Sequence, residues 1–271
     1  MKNYILFFMI ICLTNNCSQS QDFRGHDIRL FTNSKVWPLA QALAKNDSIE
    51  TKKLLNNDSS IVNYQEPKFG QTLLMWTVRN KQLALTKVLL AHKANPNIQN
   101  TYDQMSALIY AADDNKTSDY VNLLLHYKAD TNIYANDSLA LNTTSLIAAA
   151  HNRLESVEAL INAGANLNFV SNRKNSALRA ALRFQKADIT YFLIVDKKVD
   201  ISIPIGFTMI NKKPIKIVDI LRTWTFPLDS ENYKKKMQIV EYLLRHGENY
   251  WITPIPKEYQ SQYPDSYLSK Y

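Results

Sequence analysis

The sequence is poor in cysteine and in glycine, and both shortages restrict what the chain can be. Only two of its 271 residues are cysteines, Cys12 and Cys17, so the body beyond residue 17 has no thiol. That body cannot contain a disulfide, a cysteine-ligated zinc ion or a thiol nucleophile. Five glycines are too few for a flexible low-complexity chain, and a hydrophobic content of 46% is typical of a folded protein. Apolar packing must therefore hold the body together.

Motifs that carry catalysis or bind cofactors are absent from the sequence as well. It has no glycine-rich phosphate loop, no His-Glu metalloprotease motif and no Gly-x-Ser-x-Gly nucleophile elbow. The neighbours Asp113 and Asp114 suit a solvated turn better than an acid–base couple. His92 and His126 follow equivalent leucine pairs, which favours a role at helix ends over a shared metal ion. We therefore predict no catalytic residue, no cofactor and no metal site.

The first residues are typical of an export signal. Lys2 supplies a positive charge, residues 4–13 form an apolar run, and the chain then turns polar. As a helix this run reaches about 15 Å, half of a bilayer core, so it is not expected to span a membrane. We predict a signal peptide over residues 1–16 and a tether over residues 17–35. A buried N-terminal helix is the alternative.

Cys17 directly follows this predicted signal, where bacterial lipoproteins carry the cysteine that is lipidated. The resemblance implies a lipid anchor at Cys17 and a membrane-anchored protein facing the periplasm or the cell surface. Thr14 and Asn16 depart from the leucine and the small residue that usually precede such a cysteine. The alternative is ordinary cleavage after Ser20, which would give a soluble periplasmic or secreted protein.

A repeat of 34 to 36 residues runs through the rest of the chain. Its most regular mark is a polar residue followed by an apolar one: Asn63-Tyr64, Asn97-Ile98, Asn132-Ile133, Asn168-Phe169 and Ser202-Ile203. Each pair closes a segment with a leucine-rich stretch and a short polar turn. A period of this length indicates a stack of supersecondary units. Such a solenoid usually works by presenting a long surface and seldom by enclosing a reaction centre.

Each period contains the pattern of two short helices. In the clearest unit, residues 144–152 predict a first helix, residues 154–163 a second, and Gly164 a left-handed helix exit. Lys93 and Lys128 stand where Gly164 does, so we expect strain at those two exits. Four hydroxyl side chains are predicted to cap first helices: Thr72, Ser106, Thr144 and Ser176.

These units resemble ankyrin repeats, whose pattern is Thr-Pro-Leu-His-x-Ala-Ala, a glycine turn, a Leu-Leu helix and Gly-Ala-Asp-x-Asn. Residues 106–112 and 164–168 carry the resemblance most clearly. It implies an all-α solenoid of about six helix-pair repeats joined by β-hairpin loops, over residues 36–252. The predicted repeats lie near 36–63, 70–98, 105–133, 143–169, 175–203 and 213–250. Another helical-pair solenoid is the alternative.

Two features accompany the last predicted repeat. The tyrosine-rich tail over residues 253–271 is expected to cover the end of the stack, or else to anchor a partner. The basic runs Lys212-Lys213 and Lys234–Lys236 are expected to form a solvated face. Lipid headgroups and an acidic protein are the alternatives, and nucleic acid is not expected for an exported chain despite a formal net charge of +8.

The resemblance also implies where a partner would bind. Ankyrin repeats recognise other proteins through their hairpin tips and the exposed face of their first helices. By motif position ten residues are placed on that surface: Trp76, Arg79, Tyr102, Tyr110, Asp113, His151, Arg173, Arg179, Arg183 and Phe184. Tryptophan, tyrosine and arginine are enriched at interface hot spots. Trp76 and Tyr110 are equally compatible with packing between repeats.

The sequence thus predicts a monomeric, non-catalytic module that binds another protein and is exported and lipid-anchored in a bacterial envelope. A narrower version of this prediction is an inhibitor or immunity protein against a toxin or an envelope enzyme. Two other classes stay open. One is a hydrolase of envelope polymers, and the other is a structural role at the membrane surface through the basic final unit.

Overall fold

A computed structural model describes residues 27–113, 116–135, 142–207, 213–262 and 265–268. The predicted signal peptide, Cys17 and most of the predicted tether lie outside these residues. Six consecutive helix pairs form the body: α1 (Trp37–Ala44) with α2 (Ser48–Asn57), α3 (Leu73–Arg79) with α4 (Leu83–Ala91), α5 (Ala107–Ala112) with α6 (Asp119–His126), α7 (Ser145–Ala149) with α8 (Leu154–Asn162), α9 (Ala177–Arg183) with α10 (Ala187–Tyr191), and α11 (Ile217–Leu221) with α12 (Glu231–Arg245). These pairs are numbered here as units one to six.

Shorter elements complete the chain. Single turns of 3₁₀-helix span Ile28–Phe31, Ser59–Asn63 and Tyr250–Ile252, and a π-helical turn at Phe192–Asp196 extends α10. Two short helices follow the last unit, α13 (Lys257–Gln260) and α14 (Asp265–Leu268). Among the described helices none is long and apolar enough to cross a bilayer.

Hairpin loops join the units. Residue pairs Gln65–Thr72, Gln99–Ser106 and Ala135–Thr143 form isolated antiparallel bridges, and β1 (Gly206–Phe207) pairs with β2 (Pro214–Ile215). First helices pack side by side from α3 to α11, while second helices from α2 to α12 form a second layer. This two-layer stack is the predicted all-α solenoid of helix pairs and hairpins.

Side-chain caps start the first helices where the sequence predicted them. The hydroxyl oxygens of Thr72, Ser106, Thr144 and Ser176 each accept a hydrogen bond from the backbone N–H three residues further on. A cap of this kind is worth about 1 kcal/mol, which matters for helices of only five to seven residues. The paired alanines of α5, α7 and α9 are buried, which lets adjacent first helices approach closely.

The asparagine that marks each period bonds the next unit. Asn63 donates from Nδ2 to the carbonyl of Lys93 (3.3 Å), and its Oδ1 accepts from the backbone N–H of Asn95 (2.7 Å). The same oxygen contact recurs in three more places: Asn97 with Asp130 (2.8 Å), Asn132 with Asn166 (2.9 Å) and Asn168 with Asp200 (3.0 Å). We call this series the asparagine ladder. It ends at Ser202, whose hydroxyl turns back to Asp200.

The exits of the second helices have the left-handed backbone that the sequence predicted. Gly164 has φ of 92°, while Lys93 and Lys128 have φ of 68° and 64°. A side chain with a β-carbon is strained in this region, so the prediction of strain at these two lysines is confirmed. The ladder holds both exits in place, because asparagine side chains bond the carbonyls of Lys93 and Lys128.

The sixth unit departs from the others in the connection between its helices. This connection places Trp224 in the core, where Nε1–H donates to the carbonyl of Leu182 in the fifth unit (3.0 Å). A neighbouring residue, Arg222, donates to the carbonyl of Tyr250 (2.6 Å). The tail then contacts this connection, since Thr225 Oγ1 lies 3.1 Å from Gln262 Oε1. In the sixth unit, therefore, residues of the long connection contribute buried side chains to the core. In the other units the two helices contribute most of these side chains.

Candidate functional site: a groove across units three to five

A concave groove of about 610 Å³ runs across the first helices and hairpins of units three, four and five. We call it the central groove, and its lining residues are Tyr102, Asp103, Met105, Asp113, Thr143, Ile147, Ala148, His151, Asn175, Ala180, Arg183 and Phe184. Five of the ten residues predicted for the binding surface come together here: Tyr102, Asp113, His151, Arg183 and Phe184. Hairpins supply one wall, and the ends of first helices supply the other.

Two aromatic rings give the central groove an apolar, accessible surface. Tyr102 is 53% exposed, and its ring packs edge-on against Phe69 at a centroid distance of 5.3 Å. Phe184 is 54% exposed and stacks on the imidazole of His151 at 4.8 Å. Neighbouring units therefore hold both rings in position while about half of each residue stays in water. When a partner covers aromatic rings that are already held in position, their burial makes the free energy of binding more favourable.

A polar pair of groove-lining residues joins units three and four. His151 Nε2 lies 3.2 Å from Asp113 Oδ1, although the two residues are 38 positions apart in sequence. Asn152 strengthens the same junction by donating to the carbonyl of Ala112 (3.3 Å). The carboxylate of Asp113 thus has a partner within the protein. The imidazole is held between this carboxylate and the ring of Phe184.

Tyr110 forms a network beside the groove. Its hydroxyl donates to Asp103 (3.2 Å) and accepts from Asn100 Nδ2 (2.8 Å) and Gln71 Nε2 (3.3 Å). The guanidinium of Arg79 lies 4.6 Å from its ring centroid. Burial, together with the charge of Asp103, raises the pKa of the Tyr110 phenol to about 12, so it stays a neutral donor. The structure therefore gives Tyr110 a positioning contact with Asp103, a lining residue.

The expectation that Trp76 lies on the exposed surface is wrong. Only 7% of this residue is accessible to solvent, and every residue from Leu73 to Val78 is buried. Helix α3 packs against α4 and α5 and against the turn Ser59–Asn63, so it has no free face at Trp76. Trp76 belongs to the buried core, which agrees with the alternative of packing between repeats.

Helix α9 carries two arginines one turn apart, and only Arg183 is a lining residue of the groove. Arg183 lines the groove, and Arg179 donates from Nη1 to the carbonyls of Lys174 (2.8 Å) and Arg173 (3.4 Å). Arg179 therefore braces the hairpin tip on which the exposed Arg173 lies. Within the described ranges neither Arg179 nor Arg183 forms an ion pair with a carboxylate.

A buried basic cluster in the sixth unit, formed by Arg222 and Lys236, was not predicted from the sequence. Lys236 was predicted to lie on a solvated face, and this is wrong, since it is 1% exposed. Its Nζ donates to the carbonyl of Trp224 (2.8 Å) and lies 5.4 Å from the ring centroid of Tyr250. Burial, and secondarily the charge of Arg222, lowers the pKa of Lys236 to about 7. Its spacing before Ile239 and Leu243, buried positions of α12, was the signal that could have placed it inside.

His92 takes the helix-end role that the sequence suggested, and His246 at the end of α12 makes the same kind of contact. His92 Nδ1 lies 2.8 Å from the carbonyl of Val88, and His246 Nδ1 lies 2.7 Å from the carbonyl of Tyr242. Across the described ranges no group of three or more His, Cys, Asp or Glu side chains is arranged to hold a metal ion.

Comparison with known protein families identifies the repeats. Residues 39–137 match the family model for ankyrin repeats in three copies, and residues 142–172 match the model for a single ankyrin repeat. Residues 39–137 and 142–172 therefore contain ankyrin repeats, and the described helices fit an all-α repeat solenoid. Repeats of this class generally serve as protein-interaction modules without catalytic activity.

Similar proteins come from distant sources. The chain is 29% identical over 185 residues to putative ankyrin repeat protein FPV031 of Fowlpox virus (strain NVSL), covering 65% of this chain and 54% of the viral protein. It is 34% identical over 123 residues to a putative ankyrin repeat protein of Rickettsia bellii (strain RML369-C), covering 45% and 14%. It is also 30% identical over 123 residues to the human transient receptor potential cation channel subfamily A member 1, covering 45% and 11%. The chain thus spans about half of the first relative and a small part of the other two.

Proposed function

We propose that this protein acts as a monomer that binds a segment of another protein in the central groove. The observation that carries the proposal is the pair of half-exposed aromatic rings, Tyr102 and Phe184, held by neighbouring units in one concave surface. A concave site rimmed by aromatic and arginine side chains is typical of interface hot spots. Ankyrin repeats and the ankyrin-repeat relatives support the same general role.

Replacing Phe184 by alanine is expected to weaken partner binding at least 10-fold, because the ring contributes about half its surface to the site. The probe is a displayed library of random peptides, selected on the immobilised protein, with the affinities of selected peptides measured by fluorescence anisotropy. Tyr102→Ala is expected to have a similar effect. A loss of this size corresponds to about 1.4 kcal/mol, which exceeds the roughly 1 kcal/mol that most interface residues stay below when truncated.

The matched control is Leu228→Ala, which removes an equally accessible apolar side chain (60% exposed) away from the groove. It should leave affinity unchanged, and all three variants should keep the thermal midpoint of the parent within a few degrees. Selected peptides that bind both groove variants as tightly as the parent would contradict the proposal, as would a library that yields no binder.

We also propose that the protein is exported and anchored to a bacterial membrane through a lipid on Cys17. The support is in the sequence: a charged Lys2, the apolar run over residues 4–13 and a cysteine directly after it. Mass spectrometry of the full chain expressed in a bacterial host is expected to find an acylated N-terminal Cys17. Cys17→Ser should abolish that form. A mature chain beginning at Gln21 would instead favour soluble export, and an intact Met1 start would contradict export.

A further inference from the structure

The charge of the central groove is unequal between its two ends. Its carboxylates lie toward the third unit, and both have internal partners. Asp103 accepts from the hydroxyl of Tyr110 and from Asn100 Nδ2, and Asp113 contacts His151. At the other end Arg183 lines the groove without a carboxylate partner among the described residues. The fifth-unit end of the groove therefore carries the positive charge of Arg183, while the third-unit end carries the two carboxylates.

This imbalance extends through the chain around α9. Between Glu158 and Asp188 the sequence contains no acidic residue, while five basic residues fall in that interval: Arg173, Lys174, Arg179, Arg183 and Lys186. Two described carboxylates near this interval have other partners. Glu155 pairs with Arg153 (3.2 Å), and Asp188 accepts from the N–H of Ile189 (2.8 Å).

We infer that the segment bound in the central groove is acidic, with carboxylates that pair with Arg179 and Arg183 and an apolar side chain that packs on Phe184. This inference rests on the proposed function and specifies the chemistry of its partner. Arginine presents a planar fork of donors that matches a carboxylate in a bidentate pair. The carboxylates of an acidic segment would supply the opposite charge that these two arginines lack within the described residues.

The spacing of the two arginines favours an extended segment. Residues four apart on a helix lie roughly 6 Å apart, one turn along the axis. In an extended chain, side chains on one face repeat every second residue, at about 6.6 Å. Two acidic residues separated by one residue would therefore meet Arg179 and Arg183 together.

The test is to repeat the peptide selection on the parent protein and on Arg183→Glu. We expect the parent to enrich peptides with two Asp or Glu residues flanking one position and an aromatic or aliphatic residue beside them. Arg183→Glu should weaken those peptides at least 10-fold and should enrich lysine and arginine in their place. Raising the salt concentration from 50 to 500 mM should weaken the parent complex, as expected for solvent-accessible ion pairs.

Lys87→Glu is the matched control, since it makes the same change of charge at an exposed position of α4 outside the groove. It should leave the enriched sequences unchanged. Peptides that lose affinity in Phe184→Ala but show no acidic preference would overturn this inference and leave the proposed function intact. Binding to phosphatidylglycerol vesicles that Arg183→Glu abolishes would also overturn it, in favour of lipid headgroups. A library without any groove-dependent binder would sink both proposals.

Discussion

Replacing Trp224 by alanine is expected to lower the free energy of unfolding by about 3–5 kcal/mol, the usual cost of truncating a large core aromatic residue. Trp224 is 0% exposed and is the largest of the fully buried side chains. Its Nε1–H bonds the carbonyl of Leu182, and its own carbonyl accepts from Lys236. The substitution therefore opens a cavity and also removes one donor from the Leu182 carbonyl, which keeps its bond from the N–H of Gln185 (3.2 Å).

The loss should be local because a solenoid unit contacts mainly its neighbours. We expect urea denaturation of Trp224→Ala, followed by circular dichroism, to show an early transition for the sixth unit before the rest of the stack. Trp224→Phe should retain most of the packing and cost less. Leu228→Ala, in the same connection but exposed, is the control. A single transition at the parent midpoint for Trp224→Ala would refute this account.

The second large effect is a rise in stability with pH caused by Lys236. Its pKa is about 7 in the folded protein and near 10.5 in the unfolded chain. Between these values the unfolded chain binds more protons, so the free energy of unfolding increases as the pH rises. From pH 7 to pH 10 the contribution is about 3 kcal/mol. It is present in full above pH 10.5 and is lost as the pH falls toward 7.

Lys236→Met is expected to remove this dependence, since methionine keeps the apolar stem and cannot be protonated. The measurement is chemical denaturation of parent and variant at pH 7, 8, 9 and 10, taking the difference at each pH so that other titrating groups cancel. Lys234→Met, which changes an exposed lysine of the same helix, should follow the parent. Parallel curves for the parent and Lys236→Met would show that Lys236 does not titrate in this range.

Local features of the fold were predictable from the sequence because they depend on neighbouring residues. The capping hydroxyls, such as Thr144, and the strained exit at Lys93 follow from short-range geometry that recurs every period. Trp76 and Lys236 were misplaced because their burial depends on residues distant in sequence: Trp76 packs in the core shared by the stacked helices, and Lys236 bonds the carbonyl of Trp224, 12 positions away. The local sequence pattern around Trp76 or Lys236 does not show which distant residues will bury them.

The binding surface was predictable in outline only. Motif position placed Tyr102, His151 and Phe184 on one side of the stack, and the structure gathers them into one groove. The contacts that arrange them join different units and have no local signal. His151 meets Asp113 from 38 positions away, and its stacking on Phe184 requires the fifth unit to be docked.

The asparagine ladder has a consequence for how the chain can change its length. Each rung joins one side-chain amide to backbone atoms of the following unit, so it places no demand on the neighbour's side chains. A whole unit between Asn63 and Asn168 could be duplicated or deleted, and the rungs on either side would form again. This exchange of units does not extend past Ser202, whose hydroxyl bonds Asp200 within its own unit. The sixth unit is bonded to the fifth by the side chain of Trp224, which donates to the carbonyl of Leu182.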